Sequence, residues 1–209
     1  YPQVGLMVAP ERIKEAFYWA DAQLLVHPEI ATLQFLPLML EHAALQLRYL
    51  GLPTHPYQQQ LAAGFCDVAR RSLQVSVGVL TALRQRFTLG VISNFYGNVT
   101  TLCQECGLAT LCDVIIDSAQ VGVSKPEQRI FTLALEQLGR TAQTAVYVGD
   151  SFERDVLAAR AAGLRTIWLR GLEPRVCPDP SMVDATITTL EELPAVLAVA
   201  ARPREQGVS

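Results

Sequence analysis

The chain is short of charge. Only 18% of its 209 residues are Asp, Glu, Lys or Arg, and the formal net charge is -3. No long basic run occurs, so there is no electrostatic footprint for nucleic acid. The five cysteines (Cys66, Cys103, Cys106, Cys112, Cys177) are odd in number and irregular in spacing. They read as a reduced thiol set of a cytoplasmic protein, not as a disulfide framework. Cys103 and Cys106 form a C-x-x-C, but no second pair or histidine follows to complete a zinc site, and both read as small buried side chains on a helix. No apolar run reaches membrane-spanning length, and Tyr1 opens no signal peptide, so no membrane partner is expected. The phosphate loops G-x-G-x-x-G and G-x-x-x-x-G-K-[ST] are both missing, which disfavours a nucleotide-binding α/β protein. Internal repeats and low-complexity tracts are missing too.

Apolar residues are not scarce. At 50% of the chain they are enough for a good core, and the length suggests one domain plus a sizeable insertion. From Ala9 to Leu73 the pattern is helical. Pro10 opens a helix through Ala22, Leu36 to Leu50 forms a second, and Gln58 to Leu73 a third. The second half changes period. Strand-like runs at Phe87–Ile92, Asp113–Ile116, Ala145–Val148, Arg165–Leu169 and Ala185–Ile187 alternate with helical patterns at Gly78–Arg86, Asn98–Gly107, Glu127–Leu138 and Phe152–Ala162. A closing helix is expected at Leu190–Ala201. Such alternation predicts an α/β fold, a doubly wound parallel sheet (Rossmann-like) with a helical-bundle cap.

The most informative stretch is Val146-Tyr147-Val148-Gly149-Asp150-Ser151-Phe152-Glu153-Arg154-Asp155. An apolar strand stops at a glycine and two acids follow, five residues apart. Two acids converging at a strand end without a nearby base call for a cation or protons, and Mg2+, which takes oxygen ligands, is the natural solution. Two further strand ends carry polar groups. Ser93-Asn94 follows Val91-Ile92, and Gly122-Val123-Ser124-Lys125-Pro126 follows the next strand, with Pro126 expected as a first helical residue. In open α/β sheets ligands bind outside these carboxyl ends. For a phosphate ligand, Ser93 and Asn94 offer donors, Lys125 a compact positive charge, and Asp150 and Asp155 metal ligands.

This ordered set resembles the haloacid dehalogenase-like hydrolase superfamily, over Phe87 to Leu169. Val91-Ile92-Ser93-Asn94 is similar to its second motif, Ser124-Lys125-Pro126 to its third, and Gly149 to Asp155 to its fourth. The resemblance implies that Ser93 binds the transferring phosphoryl, that Lys125 stabilises its charge, and that Asp150 and Asp155 hold Mg2+. The helical first half resembles the small cap of the subgroup with phosphoglycolate phosphatase and 2-haloacid dehalogenase. Metal-free dehalogenases lack the paired acids, so the expectation is a Mg2+-dependent phosphatase acting on a small phosphorylated metabolite. Tyr18, His27, His42, Arg48, Tyr49, His55 and Tyr57, polar residues of the cap, read as surface or core positions and not as sites.

The first motif of that family, an Asp-x-Asp after the first strand, has no counterpart. Asp21, in Ala20-Asp21-Ala22, follows no strand. The reading is therefore that residues 1–8 are a linker following a first strand upstream of Tyr1, with a helical cap at 9–75, an α/β core at 76–201 and a frayed tail at 202–209. The chain from Tyr1 on is expected to be inactive alone. The alternatives are a catalytically silent phosphate-binding or interaction protein, a 2-haloacid dehalogenase and a phosphomutase. The assembly state is left open.

Overall fold

The structure is a computed structural model that describes Tyr1 and residues 4–200; the expected tail at 202–209 lies outside the described residues. The chain divides into two compact units.

The first unit comprises Tyr1–Gln74, Ser93–Thr110 and Ile115–Gly122. Helix α1 spans Pro10–Leu24, with proline in the first turn, where its missing N–H costs nothing. It buries Ala16, Ala20 and Leu24, four residues apart and so on one face. Helix α2, Phe35–Tyr49, buries Leu38, Met39, His42, Ala43 and Leu47. Leu24, Ile30, Leu38, Met39, Ala43, Ala62 and Cys66 form one core cluster, with Phe35, Leu61, Phe95 and Tyr96 packed on it. Each fully buried leucine contributes on the order of 2 kcal/mol.

Helix α3 runs from Tyr57 to Arg84 without interruption. The sequence pattern divides this stretch at Leu73 and Gly78, and the structure joins it. No proline falls in it, and a helical glycine costs only about 1 kcal/mol against alanine. Packing outweighs that, since Ala62 and Cys66 belong to the first core while Val79 and Leu83 belong to the core of the second unit.

The second unit comprises Val75–Ile92, Leu111–Val114 and the chain from Val123 on. Its strands β3 (Val146–Gly149), β4 (Arg165–Leu169) and β5 (Ala185–Ile187) form a parallel three-stranded sheet in that order. Gly149 pairs with Trp168. Ile167 and Ile187 are buried among Val79, Leu83 and Leu193. Helix α6 (Gln128–Leu138) buries Ile130 and Phe131. Pro126 precedes α6 and is not part of it.

Strands β1 (Gly90–Ser93) and β2 (Val114–Asp117) form a separate two-stranded sheet. The fold class is α/β with parallel strands, as expected, and its strands are arranged as two ladders. Helices α4 (Val99–Glu105) and α5 (Ser118–Val121) follow β1 and β2. After β3 the chain makes a wide π-type turn over Phe152–Leu157 before α7 (Ala158–Ala161) and β4, and α8 is Leu193–Ala200. The sequence reading treats Phe152–Ala162 as one regular helix; π-type turns often occur where a side chain must be presented to a site.

Candidate active site

Side chains alternate along a strand, so Tyr147 and Gly149 share one face of β3. That face receives Asp155. A methyl group on Gly149 would lie 2.4 Å from Asp155 Cβ and 2.6 Å from Cγ, so only glycine leaves room. Ser151 caps the π-type turn, its hydroxyl accepting from Arg154 N. Its own N–H donates to Asp155 Oδ2 at 3.0 Å. The other oxygen, Oδ1, accepts from Lys125 Nζ at 2.8 Å and from Tyr147 Oη at 3.2 Å. Lys125 Nζ also lies 3.2 Å from Tyr147 Oη, closing a triangle.

Lys125 and Asp155 are 14% and 4% exposed, so this is a buried ion pair. In such a pair desolvation offsets much of the attraction, and the secure consequence is that losing one partner strands the other. Burial first, then the negative charge of Asp155, pushes the Tyr147 hydroxyl well above its ordinary value and keeps it neutral as a donor. Its ring meets Phe131 of α6 edge-on, with centroids 4.9 Å apart.

Asp150, the next residue after β3, is exposed. Its carbonyl accepts from Trp168 Nε1 at 3.2 Å and from Arg175 Nη1 at 3.4 Å, so the strand end is fixed by the sheet beside it. The charge balance differs from the sequence reading in one respect. The two acids are not without a base, because Lys125 already neutralises Asp155. Among the described residues no group of three or more His, Cys, Asp or Glu is gathered for a metal. Mg2+ is bound in many sites by one or two carboxylates, with water and substrate phosphate completing its shell, so Asp150 with Asp155 is a fitting donor set.

Ser93 and Asn94 belong to the other unit. Ser93 ends β1 and is half-buried, and Asn94 is exposed. The loop that continues from them is held by Asp117, which is 1% exposed. Asp117 Oδ2 accepts from Gly97 N at 2.9 Å and Val99 N at 3.0 Å, and Oδ1 accepts from Ala119 N at 3.0 Å. The Ser118 hydroxyl accepts from Phe95 N at 3.1 Å. Gly97 has φ +99° and passes so close to Ala31 that an added methyl would meet its Cβ at 3.0 Å. Sequence reading missed Asp117, although the signal was the one used for Asp150, an acid directly after an apolar run. It also missed Tyr147, which reads as packing in a buried strand.

The helical unit holds a polar chain. Tyr1 Oη donates to Gln46 Oε1 at 2.9 Å, Gln46 Nε2 lies 2.7 Å from His42 Nδ1, and His42 Nε2 lies 3.0 Å from Asp21 Oδ1. Tyr96 Oη donates to the same Asp21 oxygen. A carboxylate only accepts, so His42 carries its hydrogen on Nε2 and accepts from the Gln46 amide at Nδ1. His42 is thus a buried member of a network, with both ring nitrogens engaged. Burial pushes the Tyr1 hydroxyl up to about 12, and burial with the Asp21 hydrogen bond raises that of Tyr96 further. Tyr1, His42, Gln46 and Tyr96 form part of the wall of a cavity of about 430 Å³.

An α/β core bearing an acid–ammonium pair at a strand's carboxyl end, with a second polar strand end and a helical bundle, is an arrangement of the Rossmann-like class. The sequence model of the haloacid dehalogenase-like hydrolases matches residues 34–163, more than half of the chain, and the chain belongs to that family. It is 35% identical over 124 residues to the pyrimidine 5'-nucleotidase YjjG of Escherichia coli K12, covering 58% of this chain and 55% of that protein. It is 38% identical over 119 residues to the phosphoserine phosphatase of Thermus thermophilus, covering 53% of this chain and 47% of that one. The chain spans about half the length of the curated relatives it matches. Among solved structures, the 2-haloacid dehalogenase of Pseudomonas syringae pv. tomato DC3000 is 28% identical, with a TM-score of 0.55 over 96% of this chain and 85% of that one. No helix among the described residues is long and apolar enough to cross a membrane.

Proposed function

We propose that this chain is part of a Mg2+-dependent phosphatase for small phosphomonoesters, working through an aspartyl-phosphate whose nucleophile lies upstream of Tyr1. The observation that carries the reading is the Lys125–Asp155 pair seated on Gly149, with Asp150 exposed at the same strand end. Curated relatives named for nucleotide and phosphoserine hydrolysis point the same way. The edge position of both β1 and β3 supports an upstream strand, since each has a flank with no strand partner among the described residues.

In this reading Ser93 and the N–H groups after it hold the phosphoryl oxygens, and Asp117 keeps that loop in place. Lys125 neutralises phosphoryl charge, and Tyr147 and Asp155 fix where its ammonium stands. The upstream aspartate attacks phosphorus as the ester oxygen leaves with the bonding electrons and takes up a proton. Water then attacks the aspartyl-phosphate and releases inorganic phosphate. Bound at Asp150 and Asp155, Mg2+ supplies charge neutralisation and orientation. The helical segment at 9–75 acts as a cap that excludes water and selects the leaving group. The comparisons lend no support to inactivity of the chain alone; it is part of this proposal because the nucleophile is assigned upstream.

The test is phosphate release from 4-nitrophenyl phosphate by the chain extended upstream and purified with Mg2+. Turnover no better than that of a Lys125→Ala control would end the phosphatase reading. The 2-haloacid dehalogenase neighbour favours a second reading, which predicts halide release from 2-chloropropionate without metal.

A further inference from the structure

The cavity of the helical unit is unusually rich in rings. The chain has seven phenylalanines, and four of them (Phe17, Phe35, Phe65 and Phe95) line this one space together with Tyr1 and Tyr96. A volume of about 430 Å³ falls in the ordinary range for small-molecule sites. The polar groups in its wall are already committed. Tyr1, Gln46, His42 and Tyr96 hydrogen-bond along the chain that ends on Asp21, in which each named group serves its neighbour. A sugar or an amino acid entering here would lose hydration at each hydroxyl or charge and regain little. An aromatic ring would lose nothing of that kind, and would find ring faces and edges on several sides. Gln60, exposed at the wall, leaves an amide for one polar substituent.

Two of the rings in the cavity wall belong to the loop that carries the proposed phosphate groups. Phe95 and Tyr96 follow Ser93 and Asn94 directly in the chain, and Asp117 fixes the backbone at Gly97 and Val99 just beyond them. A phosphoryl group on Ser93 and Asn94 therefore has these two rings as its nearest neighbours along the loop. We infer that the cavity is the leaving-group pocket and that the substrate is an aryl or arylalkyl phosphomonoester, in preference to a phosphorylated sugar or amino acid. This rests on the phosphatase reading above.

Gly64 gives a clean test. It lines the cavity from the interior of α3, and a Cβ added there meets nothing within 4 Å. Gly78 is a matched control on the same helix, equally open but not in the cavity wall. Both replacements raise helix propensity, so the variants should keep the fold, which thermal melting checks. Binding of 1-naphthol, which carries no phosphate, is measured by calorimetry on the full chain for Gly64→Ala, Gly64→Leu, Gly64→Trp and Gly78→Trp. Release of phosphate from 1-naphthyl phosphate and glycerol 3-phosphate is measured on the upstream-extended protein.

The expected result is saturable naphthol binding that weakens with side-chain size at position 64. The loss should be about tenfold or more for Gly64→Trp, with Gly78→Trp unchanged. Naphthyl phosphate should then exceed glycerol 3-phosphate in kcat/KM by about tenfold or more. No saturable naphthol binding, or binding indifferent to residue 64, overturns the pocket. Equal or better turnover of glycerol 3-phosphate overturns the substrate class. Graded naphthol binding with no ester hydrolysed at all supports the pocket and defeats the phosphatase reading.

Discussion

Replacing Gly149 by alanine isolates the physical core of the site. The added methyl would stand 2.4 Å from Asp155 Cβ, 2.6 Å from Cγ and 2.8 Å from Oδ2. Carbon atoms in comfortable contact are about 3.5–4 Å apart, so Asp155 must retreat by about 1 Å or more. Its contact with Lys125 Nζ, now 2.8 Å, would stretch past hydrogen-bond range. Overpacking costs about 1–3 kcal/mol, and stranding a buried charge costs about 3–5 when complete. Partial loss puts Gly149→Ala at about 3 kcal/mol, or about 6–12 °C in Tm for a chain of this size. A displacement of that length at the reacting centre costs about a hundredfold in turnover. Urea unfolding followed by circular dichroism measures the first, and phosphate release the second. A companion cycle assigns the cause. Asp155→Gly removes all three obstructing atoms, so alanine at 149 should cost less than about 1 kcal/mol in that background, leaving a coupling of about 2 kcal/mol or more. A Gly149→Ala chain within about 0.5 kcal/mol of the parent, or an additive cycle, would refute the reasoning.

Four further outcomes are expected. Asp117→Ala removes the acceptor for Gly97, Val99 and Ala119 N–H groups and should lower stability by about 2–4 kcal/mol; hydrogen exchange should accelerate at 95–99 first. Tyr147 keeps its proton in the folded chain beyond the ordinary value of 10.0, where the unfolded chain loses it. Stability is therefore whole below about pH 10 and falls as pH rises, by up to about 1.4 kcal/mol per unit from this group; Tyr147→Phe should flatten that part of the urea-midpoint profile. In the extended enzyme, Asp150→Asn should raise the Mg2+ concentration for half-maximal phosphate release by about tenfold or more while moving Tm little, because Asp150 is exposed. Asp155→Asn should lower both turnover and Tm.

What could be read from the sequence follows the range of the interaction. β4 and β5 were legible to the residue, because Arg-Thr-Ile-Trp-Leu and Ala-Thr-Ile are short apolar runs with clear turns around them. Asp150 and Asp155 stood out because acids directly after a strand are locally anomalous. The pairing of Lys125 with Asp155 was hidden, since it joins residues thirty positions apart and depends on where β3 meets the loop before α6. Tyr147 was hidden for another reason: a tyrosine in a strand signals packing, and its hydroxyl gains a role only from those two neighbours. The continuity of α3 escaped because Gly78 looks like punctuation, while the packing that carries the helix past it is tertiary.

The pairing of Gly149 with Trp168 sets a phase as well as a position. Among the described residues β3 takes its ladder from β4 alone, so β4 sets the alignment of the site strand. A slip by one residue would invert it: Val148 would turn to the side now left open, its isopropyl group would fill the seat of the acid, and Tyr147 would point its hydroxyl away from the ammonium. The carboxylate, the phenol and the lysine keep company because a five-residue run, Arg165 to Leu169, holds the beat for all of them.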